Sequence, residues 1–547
     1  MKLKFVLIII LITTIIFSCG TENNDNHIVI GIPADTETIN PLFSFSVEGG
    51  TITELLYLSL AQSYWDNKSG EMKYIPMIAK DWAWNRDDNS IVITIRDDIF
   101  WSDGVKFSID DIIFSFDIYS DPKVQSRALG YFEKFITYEN GHVDTSKTFE
   151  KLDNNKLKIK FKVDSKPQIF DIDLLIVPKH FWSKFNREEI PTLNINTFVT
   201  CGAYKLEKWE KEQAVILAKN PKSFLVSDET IDKIIFKIIP EYQNRLSQLM
   251  VGDIDFMEDI KTDDIAGLKN ISNLNVVPIS GRDFDYIGWN NISPIDYANS
   301  KITPNKFFGN PEVRRALTIA LDRDMVVNEY LNGYGAIASS PVSKIFTSIY
   351  DSTIVKLAFN TQLAKSILKT EGWIDTNGDG TIDKNGTEFS FVMHIPSGNP
   401  RREFAASLFQ NNLKTIGIDV IIESNELGYF IDNLFEKQFD AWMAAWVVPI
   451  PTNLKISWYS DLEQTPLNFS SFQNKEIDEL FNKLETVNEK EEAKIYKEIQ
   501  YILYKNQPYS FLYWIDNIAS YNNRITNISI SPLGAIKNCW EWKLNNY

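Results

Sequence analysis

The sequence contains few of the residues that metal and nucleophilic catalysis require. It has 4 histidines and 3 cysteines in 547 residues. The histidines (His27, His142, His180 and His394) are far apart in the chain, and no His-x-x-x-His, Cys-x-x-Cys or Gly-x-Ser-x-Gly motif occurs. Metal enzymes need clustered ligands, and hydrolases need an activated nucleophile. We therefore expect neither catalytic activity nor a required cofactor.

The chain also has fewer basic than acidic residues. The chain has 56 Lys and Arg residues against 73 Asp and Glu residues, which gives a formal net charge of −17. Nucleic-acid binding needs a concentrated basic surface, so we expect no nucleic-acid partner. The length exceeds what one hydrophobic core usually serves and predicts two or three domains. The aromatic fraction of 13% favours aromatic-lined surfaces as well as aromatic cores.

The amino terminus is apolar but too short to span a membrane. Residues 5–17 follow two lysines and are apolar apart from two threonines. As a helix they reach roughly 20 Å, against the ~30 Å hydrocarbon core of a bilayer. Residues 1–18 therefore predict a secretory signal peptide.

Residues 16–19 (IFSC) resemble a bacterial lipobox, in which a small residue precedes a cysteine. The resemblance implies a lipid attached to Cys19, followed by a polar tether over 19–27. A plain signal peptide with an incidental cysteine is the alternative. The expected location is the cell envelope, lipid-anchored to a membrane and facing the periplasm or the cell exterior; the leaflet is left open.

Local patterns predict several elements. Residues 28–32 and 90–96 have the composition or alternation of strands, and residues 54–60 have an apolar helical pattern. Ser108 is placed to cap a helix whose first turn contains Asp110 and Asp111. Residues 102–104 predict a tight turn.

Residues 76–117, PMIAKDWAWNRDDNSIVITIRDDIFWSDGVKFSIDDIIFSFD, resemble the signature region of the family 5 extracellular solute-binding proteins. These are the oligopeptide- and dipeptide-binding components of ABC importers. The matching residues are Ala79, Trp82, Arg96, Trp101, Ser102, Asp103, Gly104, Asp110, Asp111 and Phe114. Further blocks at 201–209, 219–221 and 310–323 continue the resemblance over nearly all of the chain after the signal peptide.

The resemblance implies an α/β fold of the periplasmic-binding-protein type (type II, cluster C), with two lobes joined by a hinge and an extra inserted domain. Domain I comprises residues 28–64, 175–285 and 508–547, domain II 65–174, and domain III 286–507. Cys201 and Cys539 then share domain I, which leaves a disulfide between them open. The implied function is capture of a peptide or similar extended solute between the lobes and its delivery to a membrane permease, by a monomer.

Residues 439–454, FDAWMAAWVVPIPTNL, raise the question of what the ligand cleft recognises. In the family, a strand at this place ends in Trp-x-x-Asp, and the aspartate pairs with the ammonium group of a bound peptide. Here Trp446 is followed by Val447 and Val448, and no carboxylate appears. We expect a buried strand over 439–445 and an apolar cleft wall from Trp446 onward, which does not recognise a free amino terminus. A strand and loop without ligand contact is the alternative.

Other candidate ligand-binding residues are spread along the chain. Glu48 is a candidate substitute for the missing carboxylate. The aromatic candidates are Phe43, Tyr286, Trp289, Tyr513 and Trp514.

A calcium loop is also possible from the pattern DTNGDGTID. Asp375, Asn377, Asp379, Thr381 and Asp383 occupy ligand positions of such a loop, but Gly386 stands where a glutamate is expected. A tight turn explains the same residues. The role of a bound Ca²⁺ would be structural.

Three other functions stay open at this point. A binder of oligosaccharides or of metal chelates would use the same fold, and a receptor for a peptide signal would not transport at all.

Overall fold

A computed structural model describes residues 26–193, 198–484 and 486–545. The predicted signal peptide, the lipidation site at Cys19 and the tether as far as residue 25 lie outside the described residues. Within the described part of the chain, no helix is both long and apolar enough to cross a membrane.

The strands alternate with helices along most of the chain. In order they are β1 (His27–Ile32), β2 (Ala61–Asp66), β3 (Glu71–Pro76), β4 (Ala79–Asn85), β5 (Ser90–Ile95), β6 (Phe149–Lys151), β7 (Lys156–Lys160), β8 (Tyr204–Glu210), β9 (Ala214–Lys219), β10 (Lys233–Ile238), β11 (Phe256–Met257), β12 (Leu274–Trp289), β13 (Gly335–Ile337), β14 (Asp383–Lys384), β15 (Thr387–Glu388), β16 (Ser390–Pro396), β17 (Asp419–Asn425), β18 (Ala441–Val447), β19 (Tyr509–Asn522), β20 (Ile525–Thr526) and β21 (Lys543–Leu544).

The helices range from single turns to an 18-residue helix. They are α1 (Val47–Leu56), α2 (Ile109–Ser120), α3 (Thr145–Thr148), α4 (Lys179–Trp182), α5 (Tyr242–Val251), α6 (Ile265–Lys269), α7 (Pro294–Ala298), α8 (Pro311–Ile319), α9 (Arg323–Met325), α10 (Thr361–Thr370), α11 (Pro400–Lys414), α12 (Leu427–Phe435), α13 (Lys455–Trp458), α14 (Lys475–Leu484) and α15 (Glu489–Asn506).

One sheet runs through two lobes. Its strand order is β17-β16-β18-β12-β19-β11-β1-β10-β9-β8, and β13 also pairs with β19. The long central strands β12 and β19 pair with each other over most of their length and belong to both lobes. The first lobe contains β1 and β8 to β11 with the adjoining halves of β12 and β19. The second lobe contains β16 to β18 with the other halves.

In both lobes, the carboxyl ends of the parallel strands face the other lobe. β12 runs from the first lobe into the second, and β18 is antiparallel to it, so β18 and the parallel strands β16 and β17 end toward the first lobe. β19 returns to the first lobe, and β11 is antiparallel to it, so β11, β1 and β10 end toward the second lobe. Loops at carboxyl ends of parallel strands are where α/β sheets bind ligands.

The crossing strands are irregular where they pass between the lobes. The register of β12 against β19 shifts between Ile279 and Asp283, which leaves residues 280–282 as a bulge. A Cβ atom added to Gly281 would lie 1.7 Å from the carbonyl oxygen of Ile515. Only glycine fits there, and the bulge interrupts the ladder at the place where two lobes can flex.

A second, four-stranded sheet of order β4-β5-β7-β6 forms the inserted region, together with α2. The hairpin β2–β3 precedes it. Trp65 on this hairpin belongs to the core of the second lobe, where its ring lies 5.7 Å from that of Phe346. The predicted domain boundaries remain predictions.

Most local predictions are confirmed. Ser108 caps α2 with Asp111 in a capping box, Asn310 and Pro311 begin α8, and Gly104 takes a φ of 94° in the predicted turn. The helix predicted over 54–60 was wrong in its bounds, because α1 begins at Val47 and ends at Leu56, and β2 follows at Ala61.

Candidate functional site

The wall of the second lobe is built by the carboxyl ends of β16, β17 and β18. Three large apolar side chains in this wall are exposed: Val447 by 50% at the end of β18, and Leu427 by 59% and Tyr429 by 54% at the start of α12. Large apolar side chains that are exposed together mark a ligand or partner surface more often than isolated ones do.

The stretch around the end of β18 is only partly exposed. Trp446 is half-buried, and its ring stacks on that of Phe469 at 5.8 Å. Val448 is 3% exposed and exchanges hydrogen bonds with Arg282, whose Nη1 donates to the Val448 carbonyl at 2.7 Å. The strand predicted over 439–445 is observed at 441–447, so Val447 ends the strand and Val448 packs away from solvent.

A carboxylate does stand beside Val447, contrary to the sequence-based expectation. Asp283 of β12 is the register partner of Val447, so both side chains lie on the same face of the sheet. Within the described residues, no hydrogen bond or ion pair satisfies the Asp283 carboxylate. Burial raises its pKa, which Arg282 and Arg401 partly offset. The sequence did not reveal this carboxylate because it belongs to β12, a strand that is distant from β18 in the chain and pairs with it only in the folded sheet.

Two residues further along β12, a buried carboxylate holds a pair of arginines. Asp285 is 0% exposed and accepts from Arg401 Nε at 2.8 Å, from Arg402 Nε at 3.4 Å and from the Tyr513 hydroxyl at 3.1 Å. Both arginines are at the amino end of α11, which Asn399 caps. Burial lowers the pKa of Arg401, but the Asp285 carboxylate more than offsets this, and the pKa is raised overall. The arginines are thereby fixed at the edge of the cleft.

The wall of the first lobe is acidic. Glu258 and Asp259 follow β11, and Glu48 is in the first turn of α1. Burial, helped by the carboxylates of Asp259 and Glu48, raises the pKa of Glu258 to about 7. Burial also raises the pKa of Asp259, although this side chain is exposed to water. Three carboxylates therefore lie close together at the carboxyl end of β11.

Apolar side chains lie close to this acidic wall. Phe45 is 73% exposed and Val47 is 77% exposed at the start of α1. Phe43 is half-buried and packs on the core of the first lobe. The exposed neighbours Phe45 and Val47 were missed by sequence reasoning, because nothing in the sequence distinguishes them from core residues.

The remaining aromatic candidates have little or no surface for a ligand in this conformation. Tyr286, Trp289, Tyr513 and Trp514 are exposed by 1%, 0%, 0% and 6%. Trp289 packs on Phe308 in the core, and Tyr286 stacks on Tyr509 with ring centroids 4.0 Å apart. The Tyr513 hydroxyl donates to the Asp285 carboxylate. Their side chains pack into the two hydrophobic cores of the second lobe.

The proposed calcium loop hydrogen-bonds to itself. Asp375 accepts from the backbone N–H of Gly378 and Gly380, and Asp383 accepts from Thr376. Asn377 and Asp379 bond to each other, and Thr381 donates its N–H to Asp379. Among the described residues, no group of three or more His, Cys, Asp or Glu side chains is arranged to hold a metal ion. These hydrogen bonds are those of a tight turn, which is the alternative explanation of the same residues.

Calcium binding at this loop stays a prediction with a simple test. If calcium binds the folded protein, saturating Ca²⁺ is expected to raise the melting temperature relative to chelator, because a ligand of the folded state stabilises it. Differential scanning calorimetry measures the shift, with Mg²⁺ as the control. An equal melting temperature with Ca²⁺ and with chelator contradicts the prediction.

The described cysteines are buried, and three of the histidines have side-chain partners within the protein. Cys201 and Cys539 are buried free thiols, so the disulfide that the sequence left open is not formed. His142 bonds to Asp117, His180 bonds to Asp103, and His394 stacks on Phe439.

The family model for bacterial extracellular solute-binding proteins, family 5 (middle), matches residues 73–464. The chain belongs to this family. It is 26% identical over 542 residues to the oligopeptide-binding protein AppA of Bacillus subtilis (strain 168), covering 96% of this chain and 93% of the relative. The structure of B. subtilis AppA in complex with a nonapeptide matches with a TM-score of 0.71 at 25% identity, over 95% of this chain and 99% of that one.

A nickel-chelate binder is similar to the same degree. The structure of NikZ from Campylobacter jejuni in complex with Ni(L-His) has a TM-score of 0.71 at 25% identity, with 95% of this chain and 99% of that chain covered. The predicted two-lobed periplasmic-binding-protein fold is therefore confirmed for this family 5 protein. Overall likeness does not by itself choose between a peptide and a chelate.

Proposed function

We propose that this family 5 protein captures a peptide or similar extended solute between its two lobes and delivers it, unchanged, to an ABC permease. The observation that carries the proposal is the unpaired carboxylate of Asp283 beside the exposed side chain of Val447. A carboxylate with no protein partner supplies a counter-charge for an ammonium group, which is costly to desolvate without one. The nonapeptide bound by AppA supports the same class of solute.

The apolar residues around this carboxylate suit the side chains of a peptide. Phe45 and Val47 extend from the first lobe, and Leu427, Tyr429 and Val447 extend from the second. Apolar contacts on both walls would stabilise the closed form, because only closure buries both sets at once. Trp446 and Glu48 complete the proposed ligand-binding residues, the first behind Val447 and the second next to Glu258.

Charge and the positions of the histidines argue against a histidine-bound metal chelate. His27, His142 and His180 lie outside the cleft walls, His394 near the carboxyl end of β16 is held by Asn425 and Phe439, and the cleft wall of the first lobe is acidic. An acidic cleft favours a cationic group over an anionic one. We further propose that a lipid on Cys19 holds the protein at the membrane through the 19–27 tether, and that the protein acts as a monomer.

The function is tested by the solute that the protein carries and by the ends of the peptide that it recognises. Native mass spectrometry of the purified protein is expected to show co-purified peptides. Isothermal titration calorimetry is expected to show that amino-terminal acetylation of a bound peptide weakens binding more than carboxyl-terminal amidation does, since acetylation removes the charge that Asp283 would pair with. Recovery of sugars or metal chelates without peptides would overturn the proposal.

A further inference from the structure

We propose that residues 330–348, here called the collar, form the pivot about which the two lobes open and close. The collar is part of the second lobe and passes along the crossing strands at the bulge of residues 280–282. It bonds to first-lobe elements at one end and to the β2–β3 hairpin at the other. The proposal goes beyond solute capture and concerns the motion that capture requires.

The first end of the collar contacts the segment between β11 and β12. Thr262 Oγ1 donates to the Tyr330 carbonyl at 3.2 Å, and Asn332 Nδ2 donates to Asp263 at 2.9 Å. Lys269 Nζ donates to the Tyr334 hydroxyl at 3.0 Å. Asn332 and Gly333 have φ values of 49° and 80°, directly after a π-helical turn over Val326–Tyr330. This backbone geometry is uncommon, and it presents the Asn332 amide to the first lobe.

The middle of the collar lies against the bulge itself. The Tyr334 carbonyl accepts from the N–H of Asp516 at 3.4 Å, and β13 pairs with residues 513–515 of β19. Ser343 Oγ donates to the Gly281 carbonyl at 3.0 Å. A cavity of about 50 Å³ remains between the collar and the bulge, lined by Ser280, Gly281, Ser343, Lys344, Trp514 and Asp516. The collar therefore touches both crossing strands where their register shifts.

The second end of the collar contacts the tip of the β2–β3 hairpin. Ser348 donates its N–H to the Ser69 carbonyl at 2.9 Å, and Thr347 Oγ1 donates to the Lys68 carbonyl at 3.1 Å. Gly70 packs so closely that an added Cβ atom would lie 2.1 Å from the Ile345 carbonyl oxygen. The base of this hairpin bonds to the first lobe, where Gln62 Nε2 donates to the Glu541 carboxylate at 3.2 Å. The hairpin is thus a third crossing between the lobes, beside β12 and β19.

The position of these contacts identifies a pivot instead of a latch. Ser343 touches the bulge and Ser348 touches the hairpin, so the two contacts lie within about 18 Å, the reach of five extended residues. When one rigid body rotates against another, atoms near the axis move least. Contacts next to the bulge can persist while the carboxyl edges of the two lobes approach. We therefore expect the collar bonds in both the open and the solute-bound protein.

The test uses a glycine substitution that forces the hairpin tip away from the collar. Gly70→Ala places a methyl group against the collar backbone, whereas Gly141→Ala has a similar positive φ and no atom within 4 Å. In the solute-free protein, hydrogen exchange at the Ser348 amide is expected to be about tenfold faster in Gly70→Ala, the factor that ~1.4 kcal/mol of local opening gives. Exchange at the bulge should also rise, and β5 should be unaffected. Equal exchange in the two variants overturns the proposal.

The second measurement follows the same amide with and without peptide. If the collar is a pivot, the Ser348 amide exchanges equally slowly with and without peptide. Gly70→Ala is then expected to bind peptide about three- to tenfold more weakly, because its lobes move more freely before binding and lose more conformational entropy when they close. Thr347→Val, which removes one collar bond without adding volume, should show the same direction. A change in Ser348 protection on peptide addition overturns the pivot. The peptide-affinity measurement rests on the proposed function. The comparison of hydrogen exchange in the solute-free variants does not, so failure of the pivot and failure of the proposed function can be told apart.

Discussion

Replacing Asp283 by asparagine is expected to weaken the binding of a peptide with a free amino terminus by at least about 30-fold. Truncating one partner of a desolvated charge pair costs about 2–5 kcal/mol. Asp283 is the carboxylate that faces Val447, and within the described residues it has no protein partner that would take its place. Asparagine keeps the size of the side chain but cannot neutralise an ammonium group. Isothermal titration calorimetry of the two proteins gives the change in affinity.

Two controls separate charge pairing from indirect effects. Asp419→Asn makes the same change on an exposed residue of the edge strand β17 and should leave affinity unchanged. An amino-terminally acetylated peptide should bind the wild type and Asp283→Asn with nearly the same affinity. If Asp283→Asn weakens the free and the acetylated peptide equally, Asp283 does not pair with the ammonium group.

Replacing Asp285 by alanine is expected to lower the free energy of unfolding by about 3 kcal/mol, the lower end for breaking a buried ion pair, because the arginines keep some contact with water. Asp285 is fully buried, while the Arg401 and Arg402 side chains are 21% and 17% exposed. Without the carboxylate, two guanidinium groups and the Tyr513 hydroxyl lose their shared partner. Urea denaturation followed by tryptophan fluorescence measures the change.

The matched control for this variant is a carboxylate at the surface of the same lobe. Asp324 pairs with Lys356, with both side chains nearly half exposed. Asp324→Ala should cost no more than about 1 kcal/mol, because exposed ion pairs contribute little. Similar losses in both variants would show that burial does not determine the strength of the Asp285 interactions.

Local sequence patterns predicted much of the fold because they depend on neighbours in the chain. Ser108 with Asp111, and Asn310 with Pro311, form helix starts within a few residues, and both are observed. The bounds of α1 were harder to predict. Tyr57, Leu58 and Leu60 are apolar and buried like a helix face, but they extend the chain toward β2 in the core of the first lobe.

The candidate site was predicted less well, because it depends on pairs that are distant in sequence. Val447 and Asp283 are 164 positions apart and become neighbours only through the register of β18 on β12. The aromatic candidates Tyr286, Trp289, Tyr513 and Trp514 belong to the crossing strands, but their side chains are buried. The sequence of one strand does not reveal which face of the sheet each residue occupies or whether a helix covers that face.

By itself, the sequence determined the family, the two-lobed architecture, the acidic charge that disfavours nucleic acid, and the missing carboxylate after Trp446. The family and the architecture follow from contiguous motifs that resemble those of known family 5 proteins, whereas the charge and the missing carboxylate are read directly from the sequence. Only the tertiary structure decided where the counter-charge comes from, which apolar side chains remain exposed in the cleft, and how the β2–β3 hairpin reaches the second lobe. Those features arise from strand pairing and from packing between segments hundreds of residues apart, and a one-dimensional pattern does not encode such distances.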